Sequence, residues 1–298
     1  ISFLLGPLIG VISGFAQAFT EENGYKQISL RNLLMLRLLF AILFVTLLVL
    51  SAYFIFSKNI GLFEFAFEPG SFAIYFYIIA IDILMFGLRQ VNLFLGSNNF
   101  WNLFRGKFYT PREEKRIFMF LDLQFSTTHA ENLGHIEYSR MIQDCFNDLG
   151  IVVENEAEIY QYVGDEAILT WKLQDGIRKQ NCLNAYFNFK KQINKRKEHY
   201  IKQYNFIPHF KAGLNSGLVT VAEVGKYKKE IAYHGDTINT AARIQGKCNE
   251  LKQEFLISES LKNDLSNLGY VFSELGRIAL KGKENQIRLF AVHNTKSK

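Results

Sequence analysis

Two aspartates and three nitrogen-bearing side chains are the residues of this chain best suited to chemistry. FLDLQFSTT (120–128) is an apolar run that carries Asp122, and YVGDE (162–166) carries Asp165 on a Gly-Asp turn. Downstream, HGDTINTAARIQ (234–245) sets Asn239 and Arg243 four residues apart, and LKGK (280–283) supplies Lys281. Carboxylates are the hard oxygen donors that Mg²⁺ prefers, usually one or two of them together with substrate phosphates. Asn, Arg and Lys donate to phosphate oxygens, Arg in a planar fork. Each residue alone has a plainer reading. An Asp at a strand end is a turn residue, Gly-Asp is a hairpin, an Asn near a helix start is a cap, and an Arg pairs with a nearby carboxylate.

The elements that must position these residues follow from periodicity. Lys115 to Leu123 reads as a strand and Thr127 to Leu149 as a helix. Glu158–Val163 and Ala167–Trp171 read as strands joined by the Gly164–Asp165 turn. A long helix is expected from Cys182 to Gln203, then strands over Phe210–Ser216 and Leu218–Glu223. A helix from Thr237 to Cys248 places Asn239 and Arg243 on one face. Short strands over Phe255–Ser258 and Ile287–Val292 complete the pattern. Strand, helix, two strands, helix, strand is the order of a ferredoxin-like α+β sandwich with an antiparallel-rich sheet. Adjacent central strands would bring Asp122 and Asp165 together.

Residues 114–293, read through DLQFST, VGDE, GDTINTAARI and LKGK, resemble the catalytic domain of the class III nucleotide cyclases, which make cyclic AMP or cyclic GMP. The resemblance implies that Asp122, Asp165 and the Leu123 carbonyl hold two Mg²⁺ or Mn²⁺ ions per site. It implies that Asn239 orients the ribose, Arg243 stabilises the α-phosphoryl group and Lys281 binds the terminal phosphates. In this family the aspartates come from one subunit and the Asn, Arg and Lys from the other, so the resemblance implies a homodimer with ATP bound between two chains. Three positions depart from the family pattern. Phe125 stands where a glycine is usual, Gln161 where adenine-specific members carry Lys, and Ala232 where they carry Asp or Thr. The Glu and Cys of guanylate cyclases are absent from these places as well. Gln161 has both an acceptor and donors and could meet either purine; Ala232 can only pack. Because the guanine-reading Glu is missing, and because bacterial adenylate cyclases of the resembling family include variant base pockets, the expectation is an adenylate cyclase. The alternatives are a guanylate cyclase of the same fold and a catalytically inactive membrane receptor that binds nucleotide. A diguanylate cyclase shares the core, but the turn here lacks the first glycine of its motif.

The N-terminal third has a different composition. Residues 1–95 read as an all-α transmembrane domain with spans over Ile1–Phe19, Leu38–Phe56 and Phe72–Leu88, since about 20 apolar residues cross a bilayer as a helix. Lys26, Arg31 and Arg37 fall in the first loop, and Arg89, Arg105, Lys107 and Arg112 follow the third span. The positive-inside rule then puts the first loop and the catalytic domain in the cytoplasm, and the resemblance implies a multi-pass anchor in a bacterial inner membrane. On that topology the first residue, Ile1, lies outside, and one helix upstream would complete a four-helix bundle. Gly6, Gly10, Gly14 and Ala18 form a strip of small residues that suits close helix packing, within the bundle or between chains. Asp82 sits inside the third span, either as a functional group or as a partner for the bundle. Residues 96–113 form a juxtamembrane linker, in which Trp101, Phe104 and Phe108 beside basic residues suit the membrane interface.

The net charge of +6 comes largely from the run Arg178–Lys202, which reads as a solvated helix face. No nucleic-acid motif accompanies it, and no nucleic-acid partner is expected. Cys145, Cys182 and Cys248 are too widely spaced for a zinc site or disulfide framework and read as buried thiols.

Overall fold

The structure is a computed structural model that describes residues 11, 14, 29–56, 60–96, 102, 105–266 and 269–295. The chain divides into two compact units, Ile1–Leu95 and Gly96–Lys298.

In the first unit, α1 (Leu30–Phe56), a short α2 (Leu62–Ala66) and α3 (Pro69–Leu95) follow one another. The first expected span, with its small-residue strip, lies outside the described residues apart from Val11 and Gly14. The second begins earlier than its apolar run, so Arg31 and Arg37 belong to α1 and not to a loop. The reason is on α3. Arg37, only 4% exposed, pairs with Asp82 at 3.5 Å and lies 5.8 Å from the Phe86 ring centroid. Asp82 thus has a partner inside the unit, which offsets part of the cost of placing a charge among apolar helices. Each of the two long helices is long and apolar enough to cross a membrane, and only 11% of either apolar stretch is buried. A helix from a soluble core would be buried along most of one face.

The second unit is built on an eight-stranded sheet. Its strands are β1 (Arg112–Leu123), β2 (Glu158–Val163), β3 (Glu166–Lys172), β4 (Phe210–Val224), β5 (Glu230–His234), β6 (Phe255–Ser258), β7 (Tyr270–Ile278) and β8 (Ile287–Asn294). They are ordered β2-β3-β1-β4-β6-β8-β7, with β5 also paired to β4. All pairings are antiparallel except β4 with β6. The first four strands, with α4 (Ser126–Leu149) and α6 (Asn181–Lys195), form the expected ferredoxin-like core. A short α5 (Leu173–Ile177) precedes α6, and α7 (Lys197–Tyr204) continues it beyond a break at Arg196. The expected single helix is interrupted there because the Arg196 backbone leaves helical angles (φ −99°, ψ 16°), and its guanidinium meets buried Asp148 at 2.7 Å. The basic side chains of Lys191, Lys195 and Lys197 face solvent.

β1 is buried on both faces, as strand alternation demands of a central strand. Ile117, Met119 and Leu121 join the larger core with Met141, Leu169 and Phe189. Phe118 and Phe120 join a second core with Val219, Val221 and Tyr233. Phe108 is 3% exposed in that second core, and its carbonyl accepts from the Glu223 amide at 2.9 Å. It therefore belongs to the folded unit and not to a membrane interface. All three cysteines are buried and unpaired.

β4 runs unbroken where two strands were expected. Gly217 is the residue between the two expected strands, yet its role is close approach. Side chains at Gly213 and Gly217 would collide with Gln245 and Thr237, the two ends of α8 (Asp236–Gly246). The glycines let that helix lie directly on the strand. β5, β7 and the short α9 (Glu259–Asp264) were not anticipated. β5 and β7 lack a clean apolar alternation and owe their place to pairing with β4 and β8.

Candidate active site

The carboxylate half is set by register. Asp122, the penultimate residue of β1, pairs with Glu166 on β3 and Lys211 on β4. Asp165 occupies the two-residue turn before Glu166, so the ladder brings Asp122 and Asp165 together as the sequence suggested. Leu123 is buried and pairs with Phe210. Burial first, and the charge of Asp165 second, push the Asp122 carboxyl up to about 6. Burial and the same two aspartates push Glu166 up to about 7. Opposing them, Gln245 Nε2 donates to Asp122 Oδ2 at 3.1 Å and the Lys211 ammonium lies close by. Carboxylates crowded in this way disfavour their own ionisation, and a divalent cation would relieve that. Among the described residues, no three His, Cys, Asp or Glu side chains form a metal site by themselves. The donor set fits a Mg²⁺-type ion that takes its remaining ligands from substrate phosphates and water. Glu166, Gln245 and Lys211 were not picked out by sequence. Glu166 could have been found as the first residue after the two-residue turn, where β3 comes to lie beside Asp122 on β1.

Phe125 follows this loop with φ 59°, in the left-handed region, and is 66% exposed. A bulky residue is strained there and a glycine is not, which accounts for the glycine usual at this position in the resembling family.

The nitrogen-bearing half lies on α8 and the β7–β8 connection. Asn239 is exposed and Arg243 half-buried, on the shared face that their spacing predicts. Arg243 Nη1 donates to the Gly282 carbonyl at 3.5 Å, which places Lys281 and Lys283 beside it. Lys281 is exposed, whereas Lys283 pairs with Asp236 and holds that carboxyl below its ordinary range. Lys283 is a second cation at this end that the sequence reading passed over.

α8 also shows what one chain does not do. At about 100° per residue, Gln245 lies about 200° round the helix from Arg243. Gln245 is the residue that reaches the chain's own Asp122, while Arg243 reaches Gly282. The carboxylates and the Asn–Arg face therefore occupy different sides of the same helix.

Gln161 is exposed on β2, and Ala232 on β5 pairs with Ala222. These strands are far apart in sheet order, but the adjacent tyrosines, Tyr160 and Tyr233, meet edge-on with ring centroids 4.9 Å apart.

Comparison with known proteins follows the same lines. The family model described as the adenylate and guanylate cyclase catalytic domain matches residues 108–294. Adenylate cyclase 2 of Rhizobium meliloti (strain 1021) is 31% identical over 218 residues, 72% of this chain; the match spans 60% of that protein's length. A bacterial light-regulated adenylyl cyclase aligns with TM-score 0.62 at 16% identity, covering 76% of this chain and 67% of its own. The adenylyl cyclase CyaB of P. aeruginosa aligns with TM-score 0.56 at 17% identity, covering 63% and 98%. The guanylate cyclase domain of RhGC from Catenaria anguillulae, in complex with GTP, aligns with TM-score 0.52 at 17% identity, covering 61% and 98%. At these identities the structural likenesses speak for the fold.

Proposed function

This chain belongs to the adenylate and guanylate cyclase catalytic-domain family, and from that starting point we propose that it is a membrane-anchored adenylate cyclase, which converts ATP to 3′,5′-cyclic AMP and pyrophosphate. The observation that carries this reading is the division of α8, with Gln245 on the chain's own Asp122 and the Asn239–Arg243 face turned elsewhere. One chain offers two half-sites, and two chains in a closed dimer make two whole ones.

Asp122, Asp165 and the Leu123 carbonyl would hold Mg²⁺ or Mn²⁺, two ions per site, which when bound acidify the ribose hydroxyl and neutralise the triphosphate. Asn239 of the second chain orients the ribose. The 3′-oxygen attacks the α-phosphorus, the bond from that phosphorus to the bridging oxygen of the β-phosphate breaks, and the hydroxyl proton passes to water. Negative charge gathers on the α-phosphoryl oxygens, where the Arg243 guanidinium is a preorganised donor. Lys281 neutralises the departing pyrophosphate. Gln161 reads the base with its amide, and Ala232 packs against it. The choice of ATP is supported by the Rhizobium meliloti relative, whose name is adenylate cyclase.

The apolar, mostly uncovered surfaces of α1 and α3 support anchoring in a membrane. Arg89 near the end of α3, with Arg105, Lys107 and Arg112 after it, supports a cytoplasmic catalytic unit.

Complementation tests the shared site. Asp122→Ala and Asn239→Ala chains are each expected to be inactive. Mixed in equal amounts, half the dimers are heterodimers with one intact site of two, so about a quarter of wild-type cyclic AMP formation returns. Verified heterodimers without recovery would sink the shared-site reading. Cyclic GMP in place of cyclic AMP would assign the same site to GTP.

A further inference from the structure

β2 and β5 are the outer members of the run β2-β3-β1-β4-β5. In a flat sheet, four strand spacings would separate them by about 19 Å. Twist and curl close that gap enough for the Tyr160 and Tyr233 rings to meet.

Arg116 lies on β1, the middle strand of the five, and is 2% exposed. It reaches both edges of the run. Nη1 and Nη2 donate to Glu158 Oε2 on β2 at 2.9 and 3.0 Å. On the other side, its guanidinium carbon lies 4.8 Å from the centroid of the Tyr233 ring on β5. Nε donates to Glu114 at 3.2 Å, and Nη1 also reaches Thr170 Oγ1 on β3 at 3.3 Å. All three guanidinium nitrogens are engaged. A buried ion pair is a poor way to gain stability, since an apolar set of similar volume often does as well or better. What a planar, stacked and forked guanidinium supplies is fixed geometry, which a lysine does not reproduce. The geometry fixed here is that of two outer strands, and directly beside the contacts stand Gln161, next to Tyr160, and Ala232, next to Tyr233.

We infer that Arg116, together with Glu158, Tyr160 and Tyr233, is a positioning device that sets the separation of Gln161 and Ala232 and thereby the purine selectivity of the site. This rests on the reading of Gln161 and Ala232 as the base-contacting positions of a nucleotide cyclase. None of the four touches the reacting atoms.

The test is steady-state kinetics of the full chain in lipid nanodiscs, with ATP and GTP in parallel, for Arg116→Lys, Glu158→Gln and Tyr160→Leu. Loss of positioning raises KM for the preferred nucleotide about tenfold, leaves kcat within about threefold, and narrows the ATP-to-GTP ratio of kcat/KM by about tenfold. A merely structural role would lower thermal stability and scale both nucleotides down together, with KM and the ratio unmoved; that result overturns the inference. Tyr160→Leu removes a partly buried ring and leaves the Arg116 charges paired, so it remains decisive if the Arg116 variant does not fold. A wild-type chain that cyclises neither nucleotide would overturn the cyclase reading and this inference with it. An active wild type with an unmoved ratio in a folded variant overturns this inference alone.

Discussion

Asp122 is pinned between two antiparallel neighbours, whereas Arg243 stands on a helix face, held by a long hydrogen bond to the Gly282 carbonyl and by the charge of Asp236. The carboxylate half is partly buried, crowded and pushed toward neutrality. The nitrogen-bearing half is largely exposed and, apart from the Lys283–Asp236 pair, lightly held. The contrast has a physical logic. Carboxylates that share a cation need a fixed, dehydrated seat, and a sheet ladder provides one. On the proposed shared site, donors that meet phosphate charge held by a second chain gain by staying accessible until that chain is in place.

The largest expected effect breaks the second half alone. Arg243→Ala should lower kcat by about 10²–10³-fold, as loss of one transition-state donor does elsewhere, with little change in the Mn²⁺ concentration giving half-maximal activity. A matching shift in that concentration would show that the two halves are not separate in function.

The next prediction probes the first half through pH. Asp122 and Glu166 have folded-state values of about 6 and 7, above their ordinary 3.8 and 4.5. The folded chain thus holds these protons more tightly than the unfolded one. Their stabilising effect is complete below the ordinary values and is lost as pH rises through about 6 to 7. Without metal, the melting temperature of wild type should fall between pH 5 and pH 8 relative to Asp122→Asn, which lacks the crowded charge. Mn²⁺ at pH 8 should raise the wild type and leave Asp122→Asn nearly unmoved. Parallel melting curves for the two proteins across this range would contradict the crowding.

The smallest effect sharpens the boundary of the carboxylate half. Phe125→Gly removes a left-handed φ strain of about 1–2 kcal/mol, partly offset by the greater freedom of glycine in the unfolded chain. A net gain of about 1 kcal/mol would raise the melting temperature by about 2–4 °C. An unchanged or lower value would mean that the exposed ring and its contact with Lys211, 5.9 Å from the ring centroid to Nζ, stabilise the loop as built.

Much of the candidate site was legible because its signals are local. The i, i+4 spacing of Asn239 and Arg243 fixes their shared helix face, and the Gly164–Asp165 turn fixes the hairpin. Other readings failed where a residue type has two uses. Gly217 reads as a break between strands but serves close helix packing, and Phe108 beside basic residues reads as interfacial but fills a core. Arg37 reads as a loop charge until Asp82 on another helix claims it.

The sequence alone determined the order of the chemical groups, the faces they share within one element and the alternation that buries β1 on both sides, because these depend only on helix and strand periods. The tertiary structure alone decided which groups meet. Gln245 rather than Arg243 reaches Asp122 because two glycines on β4 seat α8 in one orientation. Tyr160 and Tyr233, from strands four places apart, meet because a five-strand run curls around Arg116. Contacts of that kind sum small twists and close approaches over residues far apart in the chain, and no local period encodes such a sum.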